Sequence, residues 1–183
     1  MTQHTQGLSR LAVGAAAGFA GTLAIQAFMT VNQKWFPSAA PPIRQDPGEF
    51  MVESVEAALP VTVRERIPEV VESGAAKLLA LGYGLTFGVL YAMCRPEAGA
   101  PLRDGIALGV ANWATGYVGW LPALGLMPPA WQQQPRQVTA GVVEHIVYGI
   151  TTVAAYNWLQ ESVLEPHPVS KKNNTGAMGE WAR

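Results

Sequence analysis

Leu11 to Val31 reads LAVGAAAGFAGTLAIQAFMTV, a run without a single charged residue. A helix needs about 20 predominantly apolar residues to cross a ~30 Å hydrocarbon core, so this run is long enough to be a membrane span. Arg10 ahead of an alanine-rich stretch also suits a secretory leader. The apolar core of a leader is usually about 7–15 residues, however, and a retained first span is expected.

Three further runs have the same character. Ala75 to Cys94 is charged only at Lys77, near its start, and is followed by Arg95 and Pro96. Gly105 to Met127 is uncharged, with Pro122 placed to kink or fray its last turns. Val138 to Leu159 contains Glu144 and His145. The expectation is an all-α membrane protein: a bundle of four transmembrane helices (11–31, 75–94, 105–127, 138–159) with an extramembrane segment, 32–74, between the first two. Residues 1–165 form one domain in this reading, and the polar tail 166–183, which lacks apolar periodicity, is expected to be disordered.

Composition agrees with a lipid solvent. The 183 residues are 49% hydrophobic and 14% charged, against roughly 25% charged in an average soluble domain. Mean hydropathy is only +0.14, because the apolar runs are averaged with the polar stretch from Asn32 to Ser73. Twelve basic and 13 acidic residues leave a net charge of −1, with no basic footprint for nucleic acid. Cys94 is the sole cysteine, reads as a passive thiol, and has no internal partner for a disulfide.

The connections 95–104 and 128–137 are short and proline-containing, which suits antiparallel neighbours packed side by side. The 32–74 segment opens on Lys34-Trp35-Phe36-Pro37, an interfacial signature. Two short helices are expected in it, Glu49–Leu59 and Val61–Val71. In the first, Met51, Val55 and Ala58 share an apolar face, and Glu49, Glu53 and Glu56 share the polar one. This segment is expected to cap the bundle. Basic residues in short loops set orientation. Arg10, Arg95, Arg103, Lys171, Lys172 and Arg183 stand on one side, whereas Lys34, Arg44, Arg64, Arg66, Lys77 and Arg136 stand mostly among seven acidic residues on the other. Both termini are therefore expected in the cytoplasm.

Glycines recur at helical spacing. Gly105, Gly109, Asn112, Gly116 and Gly119 fall on one stripe, Gly14, Gly18 and Gly21 on another, and Gly84 and Gly88 on a third. In lipid, small residues let helix backbones approach closely, so packing is the first reading of these stripes. A narrow pathway lined by glycine and Asn112 is the second.

Glu144 and His145 stand about two turns inside the last span, where an ionisable group is expensive unless paired, neutralised or wetted. Gln137, Gly141, Tyr148 and Thr151 share the Glu144 face, and Thr152 lies toward His145. Lys77 enters the bilayer from the same side as Glu144 and is expected to pair with it directly, through water or through His145. The candidate polar site is thus Glu144, His145, Lys77, Asn112 and Tyr148, either a proton-sensitive site or a hydrogen-bond network that holds helix register.

No nucleotide-binding loop, HExxH or CxxC is present, and of His4, His145 and His167 only His145 lies within a span. Glu144 and His145 are adjacent, about 100° apart on a helix, not in the i, i+3 relation that carboxylate-bridged di-metal bundles use. No catalytic, cofactor or metal site is expected, and the chain is read as a non-enzyme. Its partners are the lipid bilayer and either a second copy or another membrane protein. Two functions stay open: an accessory or structural membrane subunit, or a small proton- or ion-linked channel or carrier built around the Glu144 and His145 site.

The glycine-rich run before Trp120-Leu121-Pro122, the step Leu124-Gly125-Leu126-Met127-Pro128-Pro129, and His145-Ile146-Val147-Tyr148-Gly149 resemble the YagU-like family of small bacterial inner-membrane proteins. That family carries a glutamate one turn before the histidine, where this chain has Gly141. The resemblance covers about a third of the chain, implies a bacterial cytoplasmic membrane location and supplies no activity.

Overall fold

The computed structural model describes residues 3–95 and 97–164; the expected disordered tail lies outside them. The described chain is all helical, without strands. Helix α1 runs Gln3–Trp35, α2 Pro47–Ala57, α3 Val61–Arg64, α4 Glu69–Cys94, α5 Pro101–Trp113, α6 Leu121–Ala123 and α7 Pro135–Leu159. A π-helical segment, Ala114–Trp120, joins α5 to α6, and another, Gln160–Leu164, continues α7.

Three helices are long and apolar enough to cross a membrane: α1, α4, and α7 with its continuation. The expected third span, 105–127, is not among them. Its first α-helical part ends at Trp113, and Asn112, five glycines and the tryptophans hold down its hydropathy. The four-span bundle is therefore shown only as far as three candidate spans.

The 32–74 segment also departs from expectation. Pro68 lacks the N–H that a helix interior needs, so the expected helix Val61–Val71 stops after one turn and α4 begins at Glu69. Helix α2 begins earlier than expected, at Pro47. The Asp46 side chain caps it, accepting from the Gly48 and Glu49 amides at 2.8 and 3.1 Å. Its apolar face is inverted: Met51, Val55 and Ala58 are exposed, while Glu56 is buried.

Helices α1 and α7 form the central pair, with α4 on the other side of α1 and α5 on the other side of α7. The expectation that chain neighbours pack side by side holds for α5 and α7 but not for α4 and α5, which barely touch. Glycine decides this. Gly14 and Gly18 of α1 lie against Gly84, Gly88 and Ala92 of α4, and a Cβ on Gly18 would stand 2.7 Å from the Gly84 oxygen. Gly105 and Gly109 of α5 meet Gly149, Ile150 and the His145–Ile146 backbone of α7 in the same way. Both seams run antiparallel, as does the contact of Gly21 with Tyr148 and Thr152 between α1 and α7.

The interior combines glycine and polar groups with the buried rings of Tyr91, Tyr117, Tyr148 and Tyr156, while many large apolar side chains face outward: Leu23, Val31, Leu78, Leu90 and Trp158 are exposed. An apolar exterior around an interior rich in glycine, tyrosine and polar groups is unlike a water-soluble helical bundle, whose large aliphatic side chains fill the core.

At one end of the assembly Val13, Ala17, Tyr91, Ala92, Val153 and Tyr156 form the largest buried apolar cluster, with the Tyr91 and Tyr156 rings edge to face at 5.3 Å. The loop beside it is pinned by Asn157, which accepts from the Gly99 amide at 3.1 Å and donates to the Gly99 carbonyl at 2.8 Å. Asp104 is buried there and accepts from Arg103 at 2.8 Å and Arg95 at 3.2 Å. At the opposite end the 37–46 strap meets α1, α7 and the turn after α6, whereas α2 lies against α4 and α3 is exposed, so the expected cap over the bundle is seen only in the strap.

Candidate functional site

Glu144 lies 2% exposed on α7, more than two turns past Pro135. The buried stripe of α7 continues through Tyr148, Thr152 and Tyr156, so the inner face turns toward Thr152 and leaves Thr151 only half-buried. Facing Glu144 across the central pair is Asn32 of α1, whose Nδ2 donates to Oε1 at 2.9 Å. Asn32 can reach it because α1 stays helical to Trp35, one turn beyond the expected end of its span.

A separate short chain of hydrogen bonds, not joined to Glu144 by a hydrogen bond of its own, runs from Tyr117 to the loop before α7. Tyr117, on the π-helical segment, lies within the electrostatic reach of Glu144 and stacks on Trp113 at 5.7 Å. Its hydroxyl donates to the Gln133 side-chain oxygen, and Gln133 Nε2 donates in turn to the Pro128 carbonyl at 2.5 Å. Gln137, one turn into α7, donates to the Ala40 carbonyl at 3.2 Å. Gly141 makes room for this arrangement, since a Cβ there would stand 2.9 Å from the Tyr117 ring. Underwinding a helix to a π turn shifts its register, and Tyr117, buried on that segment, packs its ring against Gly141 of α7.

The roof over these hydrogen bonds is a tight turn. Leu126 N–H bonds to the Leu121 carbonyl and Gly125 N–H to the Pro122 carbonyl, both at 3.0 Å, with Gly125 at φ +75°. This is the glycine-terminated helix end in which a left-handed residue satisfies the last carbonyls. It buries Leu126 and Met127, and the Arg44 amide donates to the Leu126 carbonyl at 2.8 Å, fastening the 36–46 strap across it.

The remaining candidates do not all converge on Glu144. His145 shares its neighbourhood but bonds within its own helix, its Nδ1 meeting the Gly141 carbonyl at 2.7 Å. Tyr148 is buried and donates to the Gly84 carbonyl of α4 at 2.5 Å, tying three helices together. Asn112 is 3% exposed; its backbone carbonyl accepts from Tyr83 at 3.4 Å and its side-chain oxygen has no hydrogen-bond partner.

Lys77 is a correction. It is exposed, and among the described residues the ion pairs are Arg95–Asp104 and Arg103–Asp104, with none between Lys77 and Glu144. Helix α4 packs along α1 and α2 and scarcely touches α7, so the lysine is not carried to the carboxylate.

Of the glycines expected to pack helices, Gly14, Gly18, Gly21, Gly105 and Gly109 each face another helix's atoms at closer than ordinary contact. Gly116 faces the Tyr83 hydroxyl of α4, where a Cβ would stand 3.1 Å from it. Gly119 is exposed, and a Cβ on it would approach only Ala114 of its own helix. The π-helical winding from Ala114 onward rotates it off the stripe that a uniform α-helix would have kept.

Asn32, Tyr117 and Gln133 are the site residues that sequence reasoning missed. Asn32 fell just past the apolar window, where a polar residue reads as the start of a loop. Tyr117 stands on the π-helical segment, whose register a uniform helix does not give. Comparison with family models, curated proteins and solved structures finds no match, so the resemblance to the YagU-like family rests on the residues quoted for it.

Proposed function

We propose that the chain is a membrane protein of four spans, the fourth being the α5, π-helical and α6 stretch packed against α7, and that Glu144 is the proton-exchanging group of a small channel or carrier. One observation carries this reading: Glu144 is buried between helices with a neutral amide, Asn32, as its hydrogen-bond partner and no cation in an ion pair with it. A permanently ionised, unpaired carboxylate at that depth is expensive, and intramembrane carboxyls of this kind mark proton relays and ion pathways. The Tyr117, Gln133 and Pro128 chain supports access from the end crossed by the 37–46 strap. The glycine seams support this reading over an accessory subunit, because most of them are consumed in packing within the chain and are not free to dock a partner.

The accessory reading keeps one specific observation in its favour. Ala107, Ala111, Thr115 and Gly119 form an exposed small-residue stripe on the outer side of the α5 and π-helical stretch, a surface suited to a second copy or another membrane helix. Location in a bacterial cytoplasmic membrane, with both termini cytoplasmic, belongs to the same proposal and is supported by Arg10, Arg95 and Arg103 standing at one end.

Proton entry into liposomes that hold a pH-sensitive dye, under an imposed potential, tests the main reading. Flux above protein-free vesicles is expected, with at least a tenfold loss for Glu144→Gln and no loss for Lys77→Met. Native-level flux in a folded Glu144→Gln protein, or no flux from the native chain, would sink the proposal.

A further inference from the structure

Helix α2 is turned against its own hydrophobic pattern. Val55 is 64% exposed, yet the next residue, Glu56, is 7% exposed and its Oε1 is buried without a hydrogen-bond partner. Glu56 lines a hollow of about 680 Å³ between α2, α3 and α4, together with Glu53, Glu65 and Glu72. A smaller hollow of about 160 Å³ adjoins it, sharing Glu53 and Glu72 and adding Glu49 and Glu69. Arg64 is the only basic residue lining either hollow, and it forms no ion pair among the described residues. Glu49, Glu53, Glu65 and Glu69 are exposed and Glu72 is half-buried, so Glu56 is the one carboxylate of the groove drawn out of water, which is costly unless a cation compensates.

We propose that this groove binds a linear organic cation carrying two or more ammonium groups separated by methylene spacers. A single metal ion fits poorly, since no three His, Cys, Asp or Glu side chains converge on a common point among the described residues. Ammonium groups spaced along a chain can meet carboxylates that stand apart, one group in each hollow. Val52, Ala57 and Val61 lie in the lining and offer the methylenes an apolar surface. The site is distinct from Glu144 and does not depend on proton transport.

Isothermal titration of the full chain in a neutral detergent at low salt, with spermidine as the probe, tests it. Saturable binding is expected, weakened at least tenfold by Glu56→Gln and by Glu72→Gln and unchanged by Glu144→Gln. Butylamine, with one ammonium group, should bind at least tenfold more weakly than spermidine. Glu72 is only half-buried, so its variant tests the site even where Glu56→Gln alters α2. Absence of saturable spermidine binding, binding indifferent to both substitutions, or equally tight competition by Mg²⁺ would overturn the proposal.

Discussion

Replacing Gly18 by alanine measures how much of the fold rests on backbone contact between α1 and α4. The new Cβ would stand 2.7 Å from the Gly84 oxygen, 3.0 Å from the Leu85 Cα and 3.2 Å from the Gly88 Cα. Carbon atoms rest at about 3.5–4.0 Å, so the helices must part locally by roughly 0.5 Å or more. Every obstructing atom is backbone, and no side chain can rotate aside. A gap of that size forfeits a quarter or more of the attraction between facing atoms, and overpacking of a tight interior costs about 1–3 kcal/mol. Gly82, on the same helix as Gly84, is the control because nothing lies within 4 Å of its added Cβ. There the substitution should gain up to about 1 kcal/mol of helix propensity. Unfolding of both variants in one detergent, followed by circular dichroism during heating and during titration with dodecyl sulfate, should therefore separate them by roughly 1–4 kcal/mol. A Gly18→Ala protein as stable as Gly82→Ala would refute the seam.

Two other outcomes follow from the ends of the assembly. The Arg103 hydrogen bond, reinforced by the charges of Arg103 and Arg95, holds the Asp104 carboxyl below the usual carboxylate range. Its stabilising contribution is then present above the unfolded value of about 3.9 and lost as pH falls through the lower folded value. The stability gap between the native chain and Asp104→Asn should stay constant near neutral pH and close only in strong acid; a gap that already closes between about pH 7 and pH 5 would contradict this sign. Gly125→Ala forces a left-handed residue with a side chain at φ +75°, so unfolding measurements should show a loss of about 1–2 kcal/mol, whereas a neutral effect would mean that the turn over Met127 is not held as described.

Helix content, three of the four apolar rods and the packing use of Gly14, Gly18, Gly105 and Gly109 were legible in the sequence, because length without charge and spacing of three or four are local properties. What was not legible depends on register or partner choice. Spacing alone assumes a uniform helix, so it kept Gly119 on the stripe that the π turn at Ala114 removes it from. Short loops suggested that α4 and α5 are neighbours, yet the seams pair α4 with α1 and α5 with α7. The Lys77 and Glu144 pairing failed for the same reason: charge and depth matched, but the two helices carrying them lie on different partners. Glu144 drew attention by its depth in the last span and is one of the buried carboxylates, with Asp104 and Glu56, whereas Asn32 belongs to α1 and becomes visible only once the two central helices are brought together.

The seating of α1 against α7 also bears on how the chain is made. Synthesis delivers α1 first and α7 last, with α4 and α5 emerging between them. The α1–α4 seam can close as soon as its own residues have left the ribosome. Helix α5, interrupted by its π turn and less apolar than its neighbours, has its glycine face exposed until Gly149 and Ile150 arrive. A nascent chain stalled before residue 149 would thus hold a finished half and an orphaned helix, which makes the final 25-residue helix the step that completes the inventory of contacts for both.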